Sequence, residues 1–171
     1  MQSTKINYPY LPKGRKILYV PADDVFMQLA KAFARAQSLD ENMPGAAVIV
    51  KVGRVIGIGA NGSDYHKKQK CERVIRGCKS GEGYELCEGC HPKNHSEAKA
   101  ISNARLGFGW SWYSNKFLSG ADLYLWGHWW CCQSCWERMI FADISNVYLT
   151  DNSWTLFNKE NPDNIVGRQF Q

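Results

Sequence analysis

"WWCCQSCW", residues 129–136, sets three cysteines within five positions between tryptophans. Neither an apolar core nor an ordinary surface calls for such a cluster. Cys132 and Cys135 lead into "WERMIFAD", which reads as a helix, so their sulfurs fall at i and i+3 on one side of a first helical turn. The positive end of the helix dipole favours the thiolate form that metals require. Two thiolates make half of a tetrahedral zinc site. A redox dithiol is the competing use of Cys-x-x-Cys. Cys131 and Cys135, at i and i+4, also share a face if the helix begins earlier, so spacing alone leaves the register open.

The chain has 171 residues, enough for one domain with a sizeable core, and 1–171 is read as one. It holds seven cysteines. An odd count in a chain with no export signal argues against disulfides and for metal ligation in the reducing cytoplasm. The start, "MQSTKINYPYLPKGRK", is polar and proline-bearing, unlike a signal peptide. Apolar runs such as "GAAVIV" are far too short to span a membrane. A formal net charge of +5 suits an anionic ligand such as a nucleotide phosphate without singling out nucleic acid.

Working outward from the cysteines, "ADLYLW" precedes them as a strand and "SNVYLT" follows as another. Residues 1–20 read as an irregular or extended lead-in, an N-terminal extension. "PADDVFMQLAKAFARAQS" reads as a helix opened by Pro21, Asp23 and Asp24, with Phe26, Leu29, Ala30, Phe33 and Ala34 as its buried stripe. "GAAVIVKVGRVIGIGAN" reads as a β-hairpin turning near Gly53. Residues 62–94 have almost no apolar periodicity but carry Cys71, Cys78, Cys87 and Cys90, and a loop this long is normally functional or held by something. "HSEAKAISNARL" is a helix, and "LGFGWSWYSNKFLSG" an aromatic connector. Part of the tail after Asp151 reads as helical. Strands alternating with helices after a hairpin predict an α/β sandwich, three layers deep around a mixed sheet.

His95 and Glu97 stand at a helix start, as the cysteines do. If the two starts converge, His95, Cys132 and Cys135 supply three zinc ligands and leave the fourth position to water, the arrangement of catalytic zinc. The metal brings the water's pKa towards neutrality. Glu97, close by but not a ligand, would move the proton.

H-x-E followed downstream by C-x-x-C is the signature of the zinc-dependent cytidine deaminase superfamily, and the chain resembles its deoxycytidylate (dCMP) deaminase branch over roughly residues 22–150. "DDVFMQLAKAFARAQS" looks like that family's opening helix, and "GAAVIVKVGRVIGIGANG" like its hairpin with a Gly-x-Asn-Gly turn. "HSEAKAI" matches its His-Ala-Glu helix with Ser96 in place of alanine, and "SNVYLT" looks like the strand after the cysteine helix. The family has proline where Cys131 stands, which leaves Cys132 and Cys135 as the thiolates and turns Cys131 away into the packing around Trp129 and Trp130. The link "WGHWWCC" and the stretch from Glu97 to Cys132 are longer than in the family. Both changes fall beside the substrate pocket.

The resemblance implies hydrolytic deamination of a cytosine nucleotide, dCMP to dUMP with release of ammonia. The rivals are deaminases of a nucleoside, a free base, a pterin-like ring or a base in DNA or RNA, and a non-catalytic zinc-stabilised binding module. It implies substrate contact by Asn61 and by the backbone of Ala46 and Ala47, and assembly into a homo-oligomer. It also makes 62–94 a cysteine-rich insert with a second, structural zinc on Cys71, Cys78, Cys87 and Cys90, where His66 or His91 can replace one cysteine. His128 reads as pocket lining. Lys67, Lys68, Lys70, Arg73 and Arg76 can meet a phosphate or form a solvated basic face. Trp110, Trp112 and Tyr113 can stack on a base or pack.

Overall fold

In the computed structural model, which describes residues 6–79, 81–106 and 113–171, the Asp24 carboxylate accepts hydrogen bonds from the Phe26 and Met27 amides, both at 3.0 Å. This cap satisfies two of the amides a helix start leaves open and begins helix α1 (Val25–Gln37). Its buried line is Met27, Ala30 and Ala34, with Phe26 and Phe33 beside it. Leu29, expected in that stripe, is 38% exposed. The helix turns its small residues, not its leucine, to the sheet.

The hairpin is strand β2 (Ala46–Lys51) and strand β3 (Arg54–Ala60). Val52 and Gly53 between them both have positive φ, 48° and 72°, which a two-residue hairpin turn requires. Strand β4 (Asp122–Trp126) lies antiparallel to β2 on its other side. Strand β5 (Asn146–Thr150) runs parallel to β4. The lead-in ends in a strand that sequence patterning did not mark: β1 (Ile17–Val20) pairs parallel with β5 at the sheet's edge. Arg15 secures it, donating from Nη1 to the Ile144 carbonyl at 3.0 Å. The five-stranded mixed sheet has the order β1-β5-β4-β2-β3.

Strand residues alternate between two cores. Between the hairpin and β4 the chain forms the short helices α2 (Tyr65–Lys68) and α3 (Glu72–Ile75), the longer α4 (Ser96–Leu106) and the short α5 (Tyr113–Leu118). Ala47, Ile49, Leu123, Leu125, Val147 and Leu149 face helices α4 and α6 (Gln133–Phe141). Ala46, Val48, Val50 and Trp126 face α1 and, through Phe157, the short helix Ser153–Phe157. That is the three-layer α/β/α sandwich. β2, lying between β3 and β4, is buried on both faces, so it reads as a continuous apolar run.

Helix α4 sits unusually close to the sheet. A Cβ added at Gly57 would lie 2.5 Å from the Ala100 carbonyl oxygen, and one at Gly59 would lie 2.7 Å from the Lys99 carbonyl carbon. The glycines of "GIGA" thus act as a seat for the alanine-rich helix, and the contact puts the N-terminus of α4 over the end of β3. β4 ends at that same rim of the sheet, with Trp126 paired to Ala46, so α6 starts there as well. Trp110 and Trp112 of the aromatic connector lie outside the described residues, as does the Tyr113 side chain.

Candidate active site and metal centre

His95 immediately precedes α4, and Cys132 is the residue that caps α6. The two helix starts meet at the sheet rim. His95 Nδ1 lies 3.4 Å from the Sγ of Cys132 and 3.4 Å from the Sγ of Cys135. The three donor atoms lie within 4.8 Å of one another. The other ring nitrogen, Nε2, is 3.2 Å from the Cys90 carbonyl oxygen. A carbonyl only accepts, so Nε2 carries the hydrogen and the Nδ1 lone pair faces the two sulfurs. Contact with the Cys135 sulfur, helped by His95, brings the Cys132 thiol down to about 5 against the effect of burial. The same contact, with burial, pushes the Cys135 thiol up. Burial opposes protonation of His95, but its bond to Cys132 and the Glu97 charge raise its pKa overall. One nitrogen and two sulfurs in this setting fit zinc.

Glu97 is 5% exposed in the first turn of α4 and accepts from Ser96 Oγ at 3.0 Å. Cys131 stands outside the three-donor group. Its thiol is buried in the core cluster against which Trp130 packs. Burial pushes its pKa well up, and the charge of the nearby Glu97 carboxylate adds to the effect. His128 is half-buried over Gly45, where an added Cβ would lie 2.8 Å from its Nε2. Burial lowers its pKa, and Glu97 is the charge that opposes this most strongly.

Asn61 is buried and its amide is largely engaged. Oδ1 accepts from the Gly45 amide at 2.8 Å and from Ser38 Oγ at 2.6 Å, and Nδ2 donates to the Met43 carbonyl at 2.8 Å. It thereby fastens the 38–45 loop to the rim. Ala46 and Ala47 are fully buried at the start of β2.

Residues 21–151 match the family model described as the cytidine and deoxycytidylate deaminase zinc-binding region. The chain belongs to this family of deaminases. Like the rest of the family it is a zinc-binding hydrolase, and its own His and Cys groups can hold the metal. Among solved structures, this cytidine/deoxycytidylate-type deaminase is similar to the dCMP deaminase of cyanophage S-TIM5 in complex with dCMP and dUMP. The identity is 21% over 72% of this chain and 76% of that one, with a TM-score of 0.46. It is similar to a tRNA:A34 deaminase at 26% identity over 74% of this chain and 75% of that one, TM-score 0.43. With guanine deaminase from Bacillus subtilis the identity is 18% over 73% and 61%, TM-score 0.41. No curated protein matches the chain. Among the described residues, no helix is long and apolar enough to cross a membrane.

The deaminase carries a second donor group in 62–94: His66, Cys71, Cys87 and Cys90. Cys78, expected with the other three cysteines, is not part of it; His66 takes that place. His91 is engaged elsewhere, accepting from the Lys93 amide at 3.2 Å. The same segment walls the first site. The ring of Tyr84 meets His95 edge-on with centroids 4.9 Å apart. Arg73 lies 4.2 Å over Tyr84 and donates to the Glu82 and Lys79 carbonyls at 2.7 and 3.0 Å. Arg73 thus ties a turn, whereas Lys67, Lys68, Lys70 and Arg76 are exposed, Lys67 paired with Asp64 at 2.6 Å. Tyr84 did not stand out in the sequence as a site residue, and His66 stood out only as one of two histidines able to replace a cysteine. No periodicity marks a loop side chain, although the sparse apolar content of 62–94 did signal that something must hold it.

Proposed function

We propose that the chain deaminates a cytosine nucleotide, dCMP to dUMP with release of ammonia, using His95, Cys132 and Cys135 as zinc ligands and Glu97 as the proton carrier. The observation that carries this reading is the buried Glu97 carboxylate beside a three-donor group made by two converging helix starts. A structural zinc site has four protein ligands and no use for a free carboxylate at its edge. When bound, zinc supplies Lewis-acid activation of water near neutral pH.

The chain's own residues supply the remainder. Glu97 takes a proton from the attacking water and delivers it to N3 of the base as the C4–O bond forms. It carries the second proton to the C4 amine, which leaves as ammonia as the C4–N bond breaks. Ser96 Oγ holds the carboxylate for this task. His128 and Tyr84 flank the ring, and the second Nδ2 hydrogen of Asn61 is left for the sugar or base. Ala46 and Ala47 contact the base through their backbone. The net charge of +5 favours the nucleotide over the free base. The seven free thiols suit the reducing cytoplasm, and resemblance to the family adds assembly as a homo-oligomer to this reading.

Ammonia release from the zinc-loaded enzyme, measured on dCMP, deoxycytidine, cytosine, a cytosine-bearing oligonucleotide and a reduced pterin, tests this. The highest kcat/KM is expected on dCMP. A preference for the oligonucleotide that collapses with salt would move the substrate to nucleic acid. No release from any of them would sink the catalytic assignment.

A further inference from the structure

The two donor groups share a residue. Cys90 places its sulfur in one group and its carbonyl on the histidine of the other. In the second group, His66 Nε2 lies 3.1 Å from Cys87 Sγ and 3.9 Å from Cys90 Sγ, and Cys71 Sγ lies 3.5 Å from Cys90 Sγ. A tetrahedral zinc with Zn–S bonds of about 2.3 Å separates its sulfurs by roughly 3.8 Å, so little movement closes the site. Three sulfurs and one nitrogen make a complete ligand set with no position for water.

The local chain is shaped around this set. An added Cβ at Gly89 would lie 2.6 Å from His66 Nε2, so the imidazole reaches Cys87 and Cys90 only across a residue with no side chain. From Cys87 to His95 the backbone is folded into successive tight turns: Cys90 N to Cys87 O at 3.1 Å, Asn94 N to His91 O at 2.8 Å, and His95 N to Pro92 O at 3.1 Å. Displacement of Cys90 is therefore transmitted to His95 over five residues with little slack. Around these turns, the described residues of 62–94 form helices of three or four residues and bury few apolar side chains to hold them.

We propose that His66, Cys71, Cys87 and Cys90 form a second, closed zinc site that holds the Cys90 carbonyl on His95 and so sets the affinity of the His95–Cys132–Cys135 group for its own zinc. Cys90 is then a positioning residue. Its carbonyl fixes the hydrogen on Nε2 and aims Nδ1 at Cys132 and Cys135. Backbone partners of this kind typically govern metal affinity as strongly as 10–100-fold. The inference rests on the reading of His95 as a ligand of the catalytic zinc.

The test uses full-length protein, with zinc counted by elemental analysis and affinity measured by competition with a chromophoric chelator. Wild type should hold two zinc ions, and Cys132→Ser one. Cys71→Ser/Cys87→Ser, which leaves the second group two donors, should also hold one, bound roughly 10–100-fold more weakly than the corresponding ion of wild type. His66→Cys, which keeps four donors, should hold both ions, the first as tightly as in wild type. Should the double variant fail to fold by circular dichroism, His66→Ala/Cys71→Ser, which spares the buried Cys87, takes its place with the same expectation. A single ion held as tightly as in wild type overturns the coupling, and two ions in the two-donor variant overturn the second site. If Cys132→Ser still holds two, it is the catalytic reading that fails, and this inference falls with it.

Discussion

Gly57 on β3 lies so close beneath Ala104 on α4 that a Cβ added at Gly57 would come within 2.7 Å of the Ala104 Cβ. The contact sets the height of α4 above the sheet, and α4 carries Glu97 in its first turn. Gly57→Ala must lift the helix or bend the strand. Overpacking of this kind costs about 1–3 kcal/mol. Urea unfolding should show that loss, and turnover should fall with it because the Glu97 carboxylate moves relative to Cys132 and Cys135. A variant with wild-type stability would mean that α4 is not seated on the glycines.

Glu97→Gln keeps the shape of the side chain and removes its basicity. Fold and zinc content should be unchanged while kcat falls by roughly 10²–10⁴-fold. Elemental analysis beside a rate assay measures both. Near-normal turnover would exclude Glu97 as the proton carrier.

Cys132→Ser and Cys135→Ser should each lose the ion of the first group and leave the second group loaded. Cys131→Ser should keep both ions, because Cys131 lies outside the three donors. Serine is close to cysteine in size, so most activity should survive. Loss of the first ion in Cys131→Ser with retention in Cys132→Ser would shift the motif by one residue.

Tyr124 stacks on Tyr148 with ring centroids 4.8 Å apart, and burial, with Asp24 and Asp122 nearby, raises its hydroxyl to about 12. The ordinary tyrosine value is about 10. Between the two the unfolded chain releases this proton and the folded one keeps it, so the unfolded state binds fewer protons and stability falls as pH rises. The contribution is whole below pH about 10 and lost by about 12. Urea melts across that window should show a shallower decline for Tyr124→Phe than for wild type, and equal slopes would exclude Tyr124 as the source.

Much of the fold was legible because its elements are local. The β-branched runs either side of the turn at Gly53 made the hairpin readable. The helix start at Asp24 and the apolar residues at helical spacing made α1 readable, although not that Leu29 would face out. β1 was not legible: "ILYV" is four residues long, and its strand character comes from parallel pairing with β5, whose residues lie far along the chain.

The same division runs through the site. By itself the sequence determined which residues carry donor atoms at the right spacing, since Cys132 and Cys135 are one helical step apart at a helix start and His95 and Glu97 stand at another. Spacing within a turn is a short-range property, fixed by backbone geometry. Only the tertiary structure decided that Cys131 is buried outside the three donors, that Tyr84 covers His95, that His66 and not Cys78 completes the second group, and that Cys90 joins the two groups. Those choices depend on how an insert with few apolar residues is laid against the sheet rim. Contacts between distant segments impose no period on the sequence, so nothing in the order of residues 62–94 states which of its side chains will meet.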